Sequence, residues 1–446
     1  MNTGTIAALA TPHGVGSIAI VRLSGDKALE IAKKITTQQN LEPRYATLTM
    51  LKTSSNEPID QSIVIYFKAP NSFTAEDVVE FQCHGGLIVA RLILETVIEY
   101  GARLAEPGEF TKRAYLNGRI DLSEAEAVAD LIVAKSDDAA KVLARQLRGD
   151  LKDYVNSLRD KLTNLLAYSE VSIDYAEEDL PQDLIDNMLE KVAVIQKELI
   201  NTLEASNGRK QLMEGFRVAI VGKPNVGKSS LLNALLHFNR AIVSDIAGTT
   251  RDTIEEQLQV GTHLVRIIDT AGIRSSEDTI EKIGIERSRE SIQSADIVIA
   301  LFDGSREFDT EDKHILELLE EHSSKPIVLI GKSDLEQKFD KSVLSSFAYQ
   351  AYSIKDNTTD LVKQLEDLMD TSNSSDALML TNIRQVNAVK SASEALELCK
   401  EPLKNIELEF FSFHINDAIS TISSISQPYE YDEMLDKMFS NFCLGK

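Results

Sequence analysis

The chain has 446 residues, room for about three ordinary domains, and carries 70 acidic against 47 basic side chains for a formal charge of -23. That acidity excludes tight nucleic-acid binding by broad phosphate attraction, so any RNA contact needs a local basic patch or a partner. Cys83, Cys399 and Cys443 are too few and too scattered for a disulfide framework or a closed zinc site.

From the N-terminus, Met1-Asn2-Thr3-Gly4-Thr5 lacks the basic start of a signal peptide. No segment approaches the roughly 18 uninterrupted apolar residues of a membrane span, so a cytoplasmic protein with no membrane association is expected. Residues 1–118 mix short β-like runs, Ile18–Val21 and Ile63–Phe67, with turns and short helices such as Leu87–Tyr100. Gly14-Val15-Gly16-Ser17-Ile18-Ala19 resembles a dinucleotide fingerprint, but it precedes its strand instead of following one and is rejected. His84-Gly85-Gly86 offers a histidine beside a flexible turn. Without a partner at a recognisable spacing, that histidine reads as structural. Arg22, Glu80 and Arg119, taken singly, each read as part of a solvated face.

From Ser123 the character changes. Ser123-Glu124-Ala125-Glu126 reads as a capping box. Apolar residues then recur at helical steps from Val128 and Leu131 through Leu143, Leu147, Leu151, Val155 and Leu158 to Leu165, and no proline interrupts them between Pro107 and Pro181. Asp174–Pro181 is an acidic break, and Leu184–Leu203 is a further helical run.

A strand-like run, Arg217–Val221, leads into Gly222-Lys223-Pro224-Asn225-Val226-Gly227-Lys228-Ser229 and then a helix-forming stretch that starts at Ser230. This is a phosphate-cradling loop in its confirming context, strand before and helix after. Its glycines let backbone N–H groups close on phosphate oxygens, Lys228 reaches the outer phosphates, and Ser229 offers a hydroxyl to magnesium. Leu264–Ile268 runs into Asp269-Thr270-Ala271-Gly272, which presents a carboxylate to the metal and a flexible glycine to the γ-phosphate. Ile327–Ile330 leads into Gly331-Lys332-Ser333-Asp334, similar to the N-K-x-D guanine signature with Gly in place of Asn. Asp334 can accept from both the ring N–H and the exocyclic amine of guanine, whereas adenine would leave it facing an acceptor. Ser353-Ile354-Lys355 stands where such proteins carry S-A-K.

Small GTPases place a water-orienting Gln after the D-x-x-G glycine; here the residue is Ile273, which cannot hydrogen-bond a water. Hydrolysis therefore needs help from elsewhere. Asn225, together with the first-switch stretch that includes Ser244, Asp245, Ile246, Ala247, Gly248, Thr249 and Thr250, can hold a monovalent cation against the phosphates. Asn225 can equally serve only to stiffen its loop. Thr371–Asp376 is a polar linker, after which helical patterning resumes through Ala377–Cys399 and Ile406–Ile425. The expected class combines α/β and α: an α+β domain over 1–118, a discontinuous helical domain over 119–215 and 377–446, and an inserted doubly wound G domain over 216–376.

The whole chain resembles the MnmE (TrmE) family of tRNA-modification GTPases. The resemblance is carried by Val21-Arg22-Leu23-Ser24-Gly25, Glu76–Glu80, His84-Gly85-Gly86, Ala105–Thr111 and Asn117–Leu122, by Gly248-Thr249-Thr250-Arg251-Asp252 and Asp269–Gly272, and by the ending Cys443-Leu444-Gly445-Lys446. It implies GTP hydrolysis activated by potassium at Asn225, Ser244, Ile246 and Thr249, with magnesium at Ser229 and Thr250 and water oriented by Glu281. It also implies a folate-binding-like N-terminal domain that dimerises the protein and holds a 5-formyl- or methylene-tetrahydrofolate through Arg22, Glu80, Arg119 and Lys446. With the flavoprotein MnmG, in a heterotetramer, such proteins add an aminomethyl or carboxymethylaminomethyl group at C5 of the wobble uridine of certain tRNAs, coupled to G-domain dimerisation. Cys443 then reads as a thiol presented on a short tail, its chemical role open; Gly445 and Lys446 rule out a prenylation box. The competing class is a ribosome-assembly GTPase without modification chemistry, and a third is an effector-recruiting switch.

Overall fold

The computed structural model describes residues 4–36, 38–174, 182–238, 256–268, 289–321, 326–353, 358–372, 378–427, 432–440, 442 and 445. The chain forms two compact units, Met1–Ile132 with Ala144–Gln196 and Ser391–Lys446, and Val133–Leu143 with Lys197–Lys390.

In the first unit, β1 (Ile6–Leu9), β2 (Ile18–Ser24), β3 (Thr47–Lys52), β4 (Pro58–Phe67), β5 (Val78–His84) and β6 (Arg103–Leu104) make one sheet in the order β3-β4-β5-β2-β1-β6. Alternation along β2 and β5 gives the sheet two different faces. Val21, Leu23, Val79 and Phe81 pack with Ile31, Ile35, Ile93 and Val97 from the helices Ala28–Ile35 and Leu87–Glu99. Arg22 and Glu80, directly opposite in register, share the other face. Gly85 allows a close backbone approach to Gly16, whose carbonyl fills the place of a Cβ.

The helices of this unit include Asp150–Asp174 and Leu408–Ser423, tied by a Ser169–Ser412 hydroxyl pair at 2.9 Å. The helix Leu122–Val133 starts differently from the sequence expectation. Asp121, not Ser123, supplies the cap: its Oδ1 accepts from Glu124 N at 2.8 Å, and Glu124 Oε2 accepts from Asp121 N at 2.7 Å. Ser123 already lies inside the helix and donates to Asp121 Oδ1. Leu122 and Ala125, buried with Leu435 and Phe439, fix this as the first turn, so the cap falls to Asp121.

The second unit holds β7 (Phe216–Val221), β8 (Glu256–Val260), β9 (His263–Ile268), β10 (Ile297–Asp303), β11 (Ile327–Gly331) and β12 (Tyr349–Ala351), in the order β12-β11-β10-β7-β9-β8. Every pairing is parallel except β8 with β9. Along β7, Val218 and Ile220 join a core with Leu231 and Leu235 of the helix Lys228–Phe238 and with Leu361 and Leu365 of Thr358–Ser372. Ala219 and Val221 join Ile315 and Leu319 of Thr310–Glu321 on the other side. This is the doubly wound arrangement, and it brings β-strand carboxyl ends and helix N-termini to one edge. Among the described residues, no helix is long and apolar enough to cross a membrane.

One carboxyl in the first unit is at odds with neutral pH. Burial, and then the charge of buried Glu126 one turn before it, push Asp130 up to about 6 from an ordinary 3.8. The folded chain thus binds this proton more tightly than the unfolded chain does. Its contribution is fully present below about pH 4 and is lost as pH rises through 6. Asp130→Asn should therefore raise stability at pH 7.5 by about 1–2 kcal/mol, a figure discounted for the carboxyl's partial exposure. In melting scans the gain should shrink as the pH is lowered toward 4; a gain independent of pH would refute the assignment.

Candidate functional site

The phosphate loop begins where β7 ends. Gly222 has φ +154°, and the Leu301 carbonyl of β10 occupies the place of a Cβ, so the loop closes on β10 only because that atom is absent. Asn225 takes the left-handed region at φ +63°, which Asn tolerates better than most side chains, and Gly227 follows at φ +113°. Val226 is buried and pins the loop into the core with Leu231 and Leu235. The helix Lys228–Phe238 then starts, so the first-turn N–H groups of Lys228, Ser229 and Ser230 follow the end of β7 by one short loop. Lys228 Nζ donates to the carbonyls of Gly222 at 2.6 Å and Lys223 at 2.8 Å, spanning its own loop.

A second lysine anchors the cradle from outside. Lys223 Nζ lies 2.6 Å from Asp309 Oδ2 and 2.8 Å from Asp312 Oδ2. Burial works against the Lys223 charge, but hydrogen bonds to Asp309 and Asp312 outweigh it and hold the ammonium above its ordinary value. Sequence spacing gave no sign of this pair.

Two strands away, Gly331 ends β11 and Lys332 turns at φ +56°. Lys332 Nζ donates to Asp303 Oδ2 at 2.6 Å. Burial alone would raise the Asp303 carboxyl, but hydrogen bonds from Lys332 and Ser305 overcome it and hold the group below the usual carboxylate range. Leu335 N donates to Lys332 O at 3.0 Å, closing a turn that carries exposed Asp334, while Ser333 N donates to Tyr352 O at 3.3 Å beside buried Ser353. The described nucleotide candidates, Asn225–Ser230 with Lys332, Asp334 and Ser353, thus follow neighbouring parallel strands at one edge. Ser244, Asp245, Ile246, Ala247, Gly248, Thr249, Thr250, Asp269, Thr270, Ala271, Gly272 and Glu281 lie outside the described residues, as do Ile354 and Lys355. The donor set fits a magnesium–nucleotide complex: the first turn of the helix Lys228–Phe238 follows the loop directly, and it carries the exposed Ser229 hydroxyl.

In the first unit, Arg22 and Glu80 are not solvated singly, as the sequence suggests. They form a pair, with Arg22 Nε and Nη2 each 2.9 Å from Glu80 Oε1 and side chains only 18% and 14% exposed. The Arg22 guanidinium lies over Phe73 and Phe110, 5.7 and 5.8 Å from their ring centres. Phe73 also lines a cleft of about 360 Å³ with Arg44, Phe67, Pro70, Asn71, Ser72 and Arg119. Arg44 was not legible as a site residue. It is set there by φ +61°, by its N–H to Tyr66 O at 2.7 Å, and by Nη2 to Asn71 O at 2.9 Å. His84 has a partner after all: Asp60 Oδ1 lies 2.7 Å from Nδ1, and Asp60 Oδ2 accepts from His84 N.

The C-terminal segment packs in this unit too. Phe439 and Phe442, ring centres 5.1 Å apart, join Leu122, Ala125 and Leu435. The Phe439 carbonyl fills the Cβ position of Gly108, and the Leu9 carbonyl of β1 fills that of Gly445. Cys443 and Lys446 lie outside the described residues, but Phe442 and Gly445 on either side of Cys443 are both seated.

Comparison with known proteins decides the family. A model described as the TrmE N-terminus of GTP-binding proteins matches residues 5–119, and one described as the MnmE helical domain matches 122–443. A tRNA modification GTPase MnmE from Sulfurimonas denitrificans is 59% identical over 100% of both chains. Its counterpart from Sulfurovum sp. is 58% identical over 99% of this chain and 98% of its own.

The chain belongs to the MnmE family of tRNA modification GTPases.

A solved structure of Era with MgGDPNP and a 16S ribosomal RNA fragment is 23% identical over 41% of this chain and 67% of that one, with a TM-score of 0.26, too low to carry an argument. Membership in the MnmE family displaces the ribosome-assembly alternative. It leaves open which thiols are reactive, and the structure removes two of them. Burial pushes the Cys83 thiol up to about 11 and the Cys399 thiol up to about 12. At pH 8 roughly one part in a thousand of Cys83, and less of Cys399, is thiolate. Brief iodoacetamide treatment of the native protein, mapped by peptide mass spectrometry, should leave both unmodified; rapid labelling of either would contradict its burial.

Proposed function

We propose that this chain hydrolyses GTP and uses the cycle to install an aminomethyl or carboxymethylaminomethyl group at C5 of wobble uridine in certain tRNAs, with the flavoprotein MnmG and a 5-formyl- or methylene-tetrahydrofolate. One observation carries the reading. A phosphate cradle with a guanine-type loop and an arginine-lined aromatic cleft occur in one chain that matches the MnmE family from end to end.

In this reading Gly227, Lys228 and the first-turn amides bind the β- and γ-phosphates, and Asp334 accepts from guanine with Lys332 and Ser353 supporting the turn. Ser229 and Thr250 hold magnesium, with Asp269–Gly272 completing the phosphate end. Asn225, Ser244, Ile246 and Thr249 hold potassium, which supplies positive charge where the γ-phosphate leaves. Glu281 orients the attacking water in place of the missing Gln. The protein works as a homodimer in the cytoplasm.

Arg22, Glu80 and Arg119, with Lys446, serve the folate. The chemistry supports this: a pteridine is flat and carries amide-like donors, which suit the Glu80 carboxylate and the phenylalanine rings against its partner Arg22, and a glutamate tail suits the Arg44 and Arg119 guanidinium groups that line the cleft. Arg44 joins that set on its geometry. Arg44→Ala and Arg119→Ala should each weaken tetrahydrofolate binding about tenfold, the value of one charge-assisted hydrogen bond, in equilibrium titration. Both should leave the GTPase rate of the full-length chain unchanged. Equal loss of melting temperature and binding would point to a structural arginine.

The decisive experiment is mass spectrometry of wobble uridines in tRNA from cells lacking the protein. The C5 modification should vanish and return on complementation with the parent chain. Complementation with Cys443→Ser should fail to restore it while potassium-stimulated GTP hydrolysis persists. Unaltered uridines in the deletion strain would overturn the modification reading.

A further inference from the structure

The loop that presents Asp334 lacks a familiar support. Gly331 stands where N-K-x-D loops carry an asparagine, so no side-chain amide reaches the loop from that position. The structure supplies one from the opposite direction. Gln337 Nε2 donates to Lys332 O at 3.0 Å and to Leu335 O at 3.0 Å, the two residues that bracket Ser333 and Asp334. Those same residues are joined by the Leu335 N–H to Lys332 O, so a single turn is closed by backbone and clasped by one amide. Lys332 needs that restraint, because it holds a left-handed φ of +56° that L side chains keep only when neighbours impose it.

Gln337 is itself held in place. The following residues, Lys338 and Phe339, donate their N–H groups to Gly304 O at 2.8 and 3.3 Å, and Gly304 N donates to Gly331 O at 3.0 Å. Phe339 is buried, its ring centre 5.6 Å from that of Phe302 and 5.7 Å from that of Phe308. Gln337 Oε1 fills the place of a Cβ on Gly304. Two absent side chains, at Gly304 and Gly331, and one present amide therefore form a single device.

We propose that Gln337 is a positioning residue for guanine recognition, supplying from the far side of the loop the amide that Gly331 lacks. The inference rests on Asp334 being the residue that reads the base. Gln337 acts through that carboxylate by fixing the turn at one distance from the base edge. Fixed, Asp334 can accept from both the ring N–H and the 2-amine of guanine; loosened, it loses the second contact first. Inosine nucleotides offer only the ring N–H, so a loosened turn narrows the preference for guanosine over inosine nucleotides.

The test is equilibrium competition by GDP, IDP and XDP on the full-length chain. Gln337→Ala should weaken GDP about three- to tenfold, the range for one or two exposed hydrogen bonds, and should narrow the GDP-to-IDP ratio by a similar factor. Gln337→Glu keeps the size but cannot donate to either carbonyl, so it should behave as Gln337→Ala or worse. Adding Gly331→Asn to Gln337→Ala should restore most of the affinity and the ratio. The Cβ at 331 would lie 3.2 Å from Leu301 Cδ1 and 3.4 Å from Phe302 O, so the change is accommodated by a small shift of the Leu301 side chain end and not of backbone. An equal loss for GDP and IDP, or an unchanged ratio in both Gln337 variants, would overturn the clasp. Asp334→Asn tests the underlying reading separately, because it should move preference to XDP. If guanine preference survives in Asp334→Asn, the base assignment and the clasp fall together. If preference shifts but the Gln337 variants match the parent, only the clasp falls.

Discussion

The nucleotide-binding edge depends on how closely its loops can approach β10. That strand is buried along its whole length, between β7 and β11. Leu301 alone touches three site elements: its carbonyl meets Gly222 where a side chain would begin, and its methyls face Gly227 and Gly331. Two residues on, Asp303 takes the Lys332 ammonium, and Gly304 receives the loop that follows Asp334. Glycine is required where the phosphate loop passes β10, because a Cβ on Gly222 would collide with the Leu301 carbonyl and push the loop outward. The phosphate cradle and the base loop are therefore two branches from one buried strand, and their separation is set by sheet spacing.

The first unit solves a different problem, holding positive charge in a chain that is strongly acidic. Arg22 is neutralised by Glu80 and backed by two phenylalanine rings, which lowers its entropy and its hydration without removing its donors. Arg113 sits deeper, 2.8 Å from Glu76, beside Ser24 and Thr74, which share a hydroxyl contact at 2.7 Å. Arg44 and Arg119 face the cleft instead. The arginines thus divide into those held by a carboxylate, Arg22 and Arg113, and those that line the cleft, Arg44 and Arg119. The division matters because the net field of the whole chain repels anions, so an anionic ligand must be captured by local groups at short range.

The phosphate loop was legible in the sequence because its chemistry fixes residue types at fixed spacing, and the strand and helix around it follow from simple apolar patterning. The strand before Asp334 was legible too, since an apolar run ends at Gly331 where β11 ends. The residues that hold these elements were not. Asp303 lies 29 residues before Lys332, Lys223 lies 86 before Asp309, and Asp60 lies 24 before His84. Each partner is defined by sheet register or loop packing, which no local pattern records. The helix start at Asp121 shows a subtler failure. The sequence reading placed the cap at Ser123, two residues late, because the packing of Leu122 and Ala125 against Leu435 and Phe439, which draws both into the first turn, leaves no local pattern. Arg44 was invisible because its placement depends on an unusual backbone angle, which sequence does not display for arginine.

The parallel pairing of β7 with β10 also dictates how the second unit comes to exist. Arg217 N donates to Asp296 Oδ2 across 79 residues, and the strands just beyond that contact pair in register. Closing so long a segment costs chain entropy before any contact repays it, and parallel pairing cannot be nucleated by a tight hairpin. The antiparallel β8–β9 hairpin, joined at Val260 and His263, needs no such closure. The cradle cannot, since Gly222 has nothing to close against until β10 arrives. Guanine-nucleotide affinity in a refolding chain is thus gained only once β10, distant in sequence, has paired with β7.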